Sequence, residues 1–219
     1  MKTSAAEIIC EYGPFPDAEK VAGVTYDGRQ VWFGGGEKLF AFDPASGKTT
    51  RALDVPAYAG TAFDGRHLYQ IADGRIQKVD PQTGQVLSSI PTPDPEGNSG
   101  MAWAEGTLWV AHYKNRKIHQ VDPQTGAILR TIESNRHVTG VTWVGGEFWH
   151  ATWEDEGNEL RRIDPETGEV LEIVEMPAEI GVSGLESDGQ DRFFCGGGDT
   201  GKIRVVRRPK RATARENGA

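Results

Sequence analysis

The 219-residue chain is poor in cysteine, with two, and in methionine, with three. Two thiols are too few for a disulfide scaffold, so stability must come from a buried core. No apolar run approaches the ~18 residues of a membrane-spanning helix. The opening, Met1-Lys2-Thr3-Ser4-Ala5-Ala6-Glu7, is charged and lacks the apolar stretch of a secretory signal. A cytoplasmic protein with reduced thiols and no membrane contact is the expectation. Basic charge is also short: 24 Lys and Arg stand against 32 Asp and Glu, a net charge of −8. The imbalance is uneven, because residues 202–219 hold seven of the basic residues and one Glu. The remaining body carries −14, which repels phosphates and excludes nucleic acid as its partner. Neutral or cationic ligands suit it better. The basic end, residues 210–219, reads as a solvated, disordered tail.

Glycine is plentiful. Its 28 residues are nearly twice the usual ~7% share, and they accompany six Trp, eight Phe and five Tyr. That composition describes a turn-dense β protein.

The chain repeats. Asp43-Pro44-Ala45-Ser46-Gly47, Asp80-Pro81-Gln82-Thr83-Gly84, Asp122-Pro123-Gln124-Thr125-Gly126 and Asp164-Pro165-Glu166-Thr167-Gly168 are four copies of one turn. Asp caps it, Pro presets φ, and Gly supplies the positive φ. Gly23, Gly60, Gly100, Gly140 and Gly184 each open a β-like run, at spacings of 37, 40, 40 and 44. Trp32, Tyr69, Trp109, Trp149 and Phe194 mark the run that follows. Hairpin signals such as Asp27-Gly28 and Glu105-Gly106 join the two. Units of about forty residues with four short strands are propeller blades. The sequence therefore predicts an all-β, five-bladed propeller over residues 1–209, with blades starting near residues 21, 58, 98, 138 and 182.

The fifth unit lacks a fourth strand. Residues 7–12, Glu7-Ile8-Ile9-Cys10-Glu11-Tyr12, resemble the outer strand Val170-Leu171-Glu172-Ile173-Val174-Glu175. They are expected to complete blade five and close the ring, with apolar cover over Ile8 and Ile9. Cys10 and Cys195 then stand two strands apart, roughly 10 Å at ~4.8 Å per strand, beyond disulfide reach.

Gly140-Val141-Thr142-Trp143, Glu147-Phe148-Trp149 and Arg162-Ile163-Asp164-Pro165-Glu166-Thr167-Gly168 resemble the five-bladed glutamine cyclotransferase-like propellers, and the wider class of virginiamycin B lyase-like and YncE-like proteins. The resemblance spans almost the whole chain and implies the fold. Its shared marks are turns and core aromatics. The plant-type cyclotransferases open blade one with Phe-Thr-Gln-Gly-Leu. Here the stretch is Lys20-Val21-Ala22-Gly23-Val24, which keeps the Gly alone.

Strand directions alternate within a blade, so one face collects the regular turns. The other collects the irregular loops, at 13–20, 91–98, 112–117, 153–159, 178–182 and 196–201. Binding belongs on the irregular face, at the mouth of the central channel. Departures from the repeat name the candidates. Glu186 stands in the column of Thr25, Ala62, Ala102 and Thr142, and is the expected general acid/base, with His150 or Cys195 beside it. Tyr58, Asn98, His112, Tyr113, His137 and Trp153 are the expected ligand-binding residues. The blander readings are a Glu186 that pins the last blade, a Cys195 that is a small core hydrophobe, and an exposed acidic loop at Glu154-Asp155-Glu156. His112, His137 and His150 lack a close ligating motif, so no metal or cofactor is expected. His67 and His119 read as surface residues. The expected function is a small-molecule-binding propeller or a metal-independent cyclotransferase or lyase. The alternative is a protein-interaction scaffold, and fold alone does not separate them.

Overall fold

A computed structural model describes residues 1–155 and 157–210. Glu156 of the acidic loop and residues 211–219 of the basic tail lie outside the described residues. The described chain is all β. Strands β1 (Lys2–Ala5) and β2 (Ile8–Tyr12) come first. Blade one is β3 (Val24–Tyr26), β4 (Val31–Gly34), β5 (Leu39–Phe42) and β6 (Thr49–Leu53). Blade two is β7 (Thr61–Phe63), β8 (Leu68–Ala72), β9 (Arg75–Val79) and β10 (Val86–Pro91). Blade three is β11 (Asn98–Ala104), β12 (Thr107–His112), β13 (Lys117–Val121) and β14 (Ile128–Glu133). Blade four is β15 (His137–Val144), β16 (Glu147–Trp153), β17 (Glu159–Ile163) and β18 (Val170–Glu175). Blade five is β19 (Gly184–Ser187), β20 (Arg192–Gly196) and β21 (Ile203–Arg207), completed by β2. Every blade has four antiparallel strands, and together they form a five-bladed β-propeller.

The closing strand pairs antiparallel with β21, Cys10 opposite Val205 and Tyr12 opposite Ile203. Cys195 pairs with Arg204 on the other side of β21, so one strand separates the thiols, and both are free. The N-terminus also does something the repeat did not reveal. β1 adds to the outer edge of blade four in parallel, Lys2 opposite Glu172 through Ala5 opposite Glu175. Lys2 Nζ stands 2.9 Å from Glu172. The chain start thus touches two blades. Ile9 is 38% exposed, so the expected apolar cover falls on Ile8 alone.

The four Asp-Pro turns share one chemistry. Asp80 Oδ1, for example, accepts from Gln82 N at 2.7 Å and Thr83 N at 3.0 Å, and Gly84 holds φ +76°. These amides lower the carboxyl pKa values of Asp80, Asp122 and Asp164. The first hairpin of blade three is a two-residue turn with positive φ at both Glu105 (+53°) and Gly106 (+77°). Gly145-Gly146 repeats it in blade four, at +58° and +74°.

Apolar side chains of neighbouring blades interlock in five clusters, one per junction. Trp109 and Ile118 of blade three meet Val141 and Phe148 of blade four, and Trp149 of blade four meets Phe193 and Cys195 of blade five. The five column glycines do a different job. A Cβ on Gly23 would lie 2.4 Å from Ala59 O, and one on Gly140 would lie 2.4 Å from Leu185 N. No side chain fits where the inner strands touch. The first strands of blades three and five are not ring neighbours, yet their Cα atoms come within 8 Å. The glycine ring is therefore the narrow waist of the molecule.

Candidate functional site

The waist divides the expected site residues. Glu186 lies two residues past Gly184, toward the regular turns. Thr25, Ala62, Ala102 and Thr142 share its level and are buried. Both its oxygens are engaged. Oε2 accepts from Thr25 Oγ1 at 2.8 Å. Oε1 accepts from Thr142 Oγ1 at 2.5 Å and from Ser187 N at 2.8 Å. Burial raises its pKa, against the lowering effect of the bonds from Thr142, Ser187, Thr25 and the Tyr26 amide. The carboxyl group is closely enclosed, although the residue as a whole keeps partial exposure.

His150 and Cys195 are not among its partners. Strand alternation turns them into the blade junctions. Cys195 packs with Trp149, Leu185 and Val206, and desolvation pushes its thiol strongly up, which disarms it as a nucleophile. His150 is 2% exposed, on the face of β16 that Phe148 presents to blade three. Burial, with Arg161 beside it, pushes it down to about 3.

On the irregular face the structure gathers three of the six expected ligand residues. Tyr113 stacks on His137, centroids 4.5 Å apart and planes at 20°. Trp153 follows at 6.3 Å from Tyr113 and is 40% exposed. The His137 ring is fixed. Its Nδ1 donates to Tyr113 O at 3.0 Å, and its Nε2 accepts from Arg116 at 3.3 Å. Its amide donates to Glu154 Oε1 at 2.9 Å. Burial, then Glu154 and Asp155, raise the Tyr113 phenol. Tyr113 and Trp153 wall a cavity of about 270 Å³ with Thr139, Val182, Ser183 and Gly198. Ser183 is saturated, donating to Val21 O at 2.6 Å and accepting from Gly198 N at 3.0 Å. Thr139 differs: among the described residues its buried hydroxyl has no partner. The sequence reading missed Thr139. The signal lay in the column before each glycine, Ala22, Ala59, Ser99, Thr139 and Ser183, where Ser99 and Ser183 bond a carbonyl of the next blade and Thr139 does not.

The other three residues lie elsewhere. Asn98 and His112 pair across β11 and β12 at the junction of blades two and three. Asp94 Oδ2 lies 3.4 Å from His112 Nε2 and 3.7 Å from His119 Nε2, and among the described residues the latter nitrogen has no hydrogen-bond partner. His119 is 5% exposed, a correction to its expected surface position, and desolvation lowers its pKa. Tyr58 donates to Glu37 at 2.7 Å, away from the cavity.

A family model described as a repeat of unknown function (DUF6923) matches residues 97–186. No curated protein matches the chain in sequence. Among solved structures, the Myxococcus xanthus glutaminyl cyclase superposes with a TM-score of 0.76 at 19% identity, over 94% of this chain and 97% of that one. The WD40 β-propeller domain of Doa1 superposes with a TM-score of 0.56 at 14% identity, over 87% of this chain and 64% of that one. These likenesses and the blade topology agree on one architecture, a β-propeller, which the described residues build from five blades.

Proposed function

We propose that the protein is a small-molecule-binding propeller whose site is the cavity on the irregular face, at the channel mouth. The observation that carries this reading is the unpartnered Thr139 hydroxyl beside the exposed aromatic corner of Tyr113 and Trp153. A buried polar group without a partner costs about 1–3 kcal/mol, which a ligand that bonds it recovers. Aromatic walls supply apolar contact for a flat group, and a rigid scaffold holds them in place. Glu154 and Asp155 beside Trp153, with the acidic body, favour a neutral or cationic ligand. Ligand-detected NMR with neutral and cationic aromatic fragments tests it. Fragments should bind the parent protein and lose affinity in Trp153→Ala and Thr139→Val. Binding unaffected by both substitutions would reject the site.

The likeness to a glutaminyl cyclase favours a second reading, a metal-independent cyclotransferase at the same mouth. Glu186 suits it poorly as the acid/base, because the glycine waist lies between it and the cavity and its oxygens are occupied. Incubation with a peptide bearing an N-terminal glutamine decides this: ammonia release supports catalysis, and an unchanged peptide leaves binding as the function.

A further inference from the structure

His150 has a second feature. Its Nδ1 lies 3.4 Å from Ala151 O. A carbonyl oxygen can only accept, so Nδ1 carries the proton and Nε2 is a bare lone pair. Among the described residues Nε2 has no partner. The repeat shows how unusual this is. Blades one, three and five carry Phe33, Val110 and Cys195 at the same place, all apolar and buried. Blade two carries Gln70, whose amide is satisfied by Thr61 and by Ile71 O. In blade four alone does a polar group at this place keep an open acceptor.

His150 lines an open crevice of about 270 Å³ between blades three and four, walled by Ile118, Ile132, Ile163 and Val170, with Glu133 and Ser134 on its polar side. Asn135 lies at one side, its Oδ1 held by Arg161 Nη1 at 2.6 Å. An apolar cavity of ~150 Å³ already holds a benzene ring, so this one has room for a single substituted ring. The ring must not be anionic, since among the described residues the lining holds no cation and Arg161, beside His150, is committed to Asn135 and Glu159.

We propose that this crevice is a ligand site, separate from the channel mouth, for a small neutral apolar molecule bearing one O–H or N–H donor. The donor bonds His150 Nε2 and the apolar body fills the space among the three isoleucines. The low pKa of His150 keeps the imidazole neutral, and so an acceptor, throughout the physiological range.

Phenol is the probe, with toluene as the same ring without a donor. In a labelled sample of the full chain, phenol should shift the His150 Nε2 resonance and the methyls of Ile118 and Ile163, and leave the Trp153 indole unmoved. Toluene should bind about tenfold more weakly, the worth of one hydrogen bond. His150→Phe places in blade four the residue that blade one carries, and should abolish phenol binding. An unshifted Nε2 at millimolar phenol, equal binding of the two rings, or binding that survives His150→Phe would each overturn the proposal. If that variant does not fold, the phenol and toluene comparison on the parent protein decides alone.

Discussion

Thr25 in the first blade donates its hydroxyl to Glu186 in the last, Oγ1 to Oε2 at 2.8 Å. Thr142 of blade four reaches the other oxygen at 2.5 Å. One carboxyl group thus ties three blades together on the turn side of the waist. The ring has two closures, this one at the axis and the β2 strand at the rim.

The first prediction concerns pH. The Glu186 pKa is raised on folding, so over the window above its ordinary value of ~4.3 the folded chain keeps a proton that the unfolded chain has released. Stability contributed by this group is complete below that window and falls as pH rises through it. Glu186→Gln removes the titration. Denaturant melts of both proteins at pH 4 and pH 7 should show the parent losing ground to the variant as pH rises. A parent that gains ground would contradict the assignment.

The second prediction separates the two N-terminal strands. β1 is mostly exposed, and its Lys2–Glu172 pair has a 64% exposed lysine, so deleting residues 1–5 should cost no more than about 1 kcal/mol. Deleting residues 1–12 removes β2, the Tyr12 contact with Phe42 and the cover on Val205 and Val206. That should cost several kcal/mol, at ~1.5–3 for each large apolar side chain uncovered. Equal melting points for the two truncations would rule out closure by β2.

Blades and turns were legible in the sequence because their causes are local. An Asp-Pro-x-Thr-Gly turn bonds within itself, as Asp80 does with Gln82 and Thr83, and the column glycines recur wherever strands touch. The β1 pairing was not legible. Lys2-Thr3-Ser4-Ala5 has no apolar alternation, and its partner strand lies some 170 positions away. Glu186 stood out from its column, and the two threonines that hold it stand in the same column. What the column could not show is the side of the waist on which it lies. The repeat column sets His150 beside Glu186 in the sequence, but its spacing of two from Phe148 puts it on the face turned to blade three.

A third prediction concerns the thiols. Cys10 is exposed, while Cys195 is buried and its thiolate disfavoured. A thiol reagent should therefore modify one cysteine in the native protein and two after denaturation. Two fast-reacting thiols in the native state would contradict the packing of blade five against blade four.

A fourth concerns the column aromatics. Trp32 Nε1 donates to Asp27 at 2.7 Å and Trp149 Nε1 to Glu147 at 3.1 Å. Trp109 Nε1 is buried without a partner among the described residues. Thr107 occupies in blade three the place that Glu147 holds in blade four. Thr107→Glu gives the indole an acceptor and gives up the Thr107 hydroxyl's bonds to Ala104 O and from Gln120, so it should raise Tm by no more than roughly 2–4 °C. A fall in Tm would show that the acid cannot reach the indole.

The channel-mouth site is tested most directly by the crystal structure of the protein with whichever aromatic fragment binds it tightest. We expect the fragment against Tyr113 and Trp153, with a polar atom within hydrogen-bonding distance of Thr139 Oγ1. A fragment bound on the turn face or along a blade edge, with the mouth cavity empty, would contradict the proposed function.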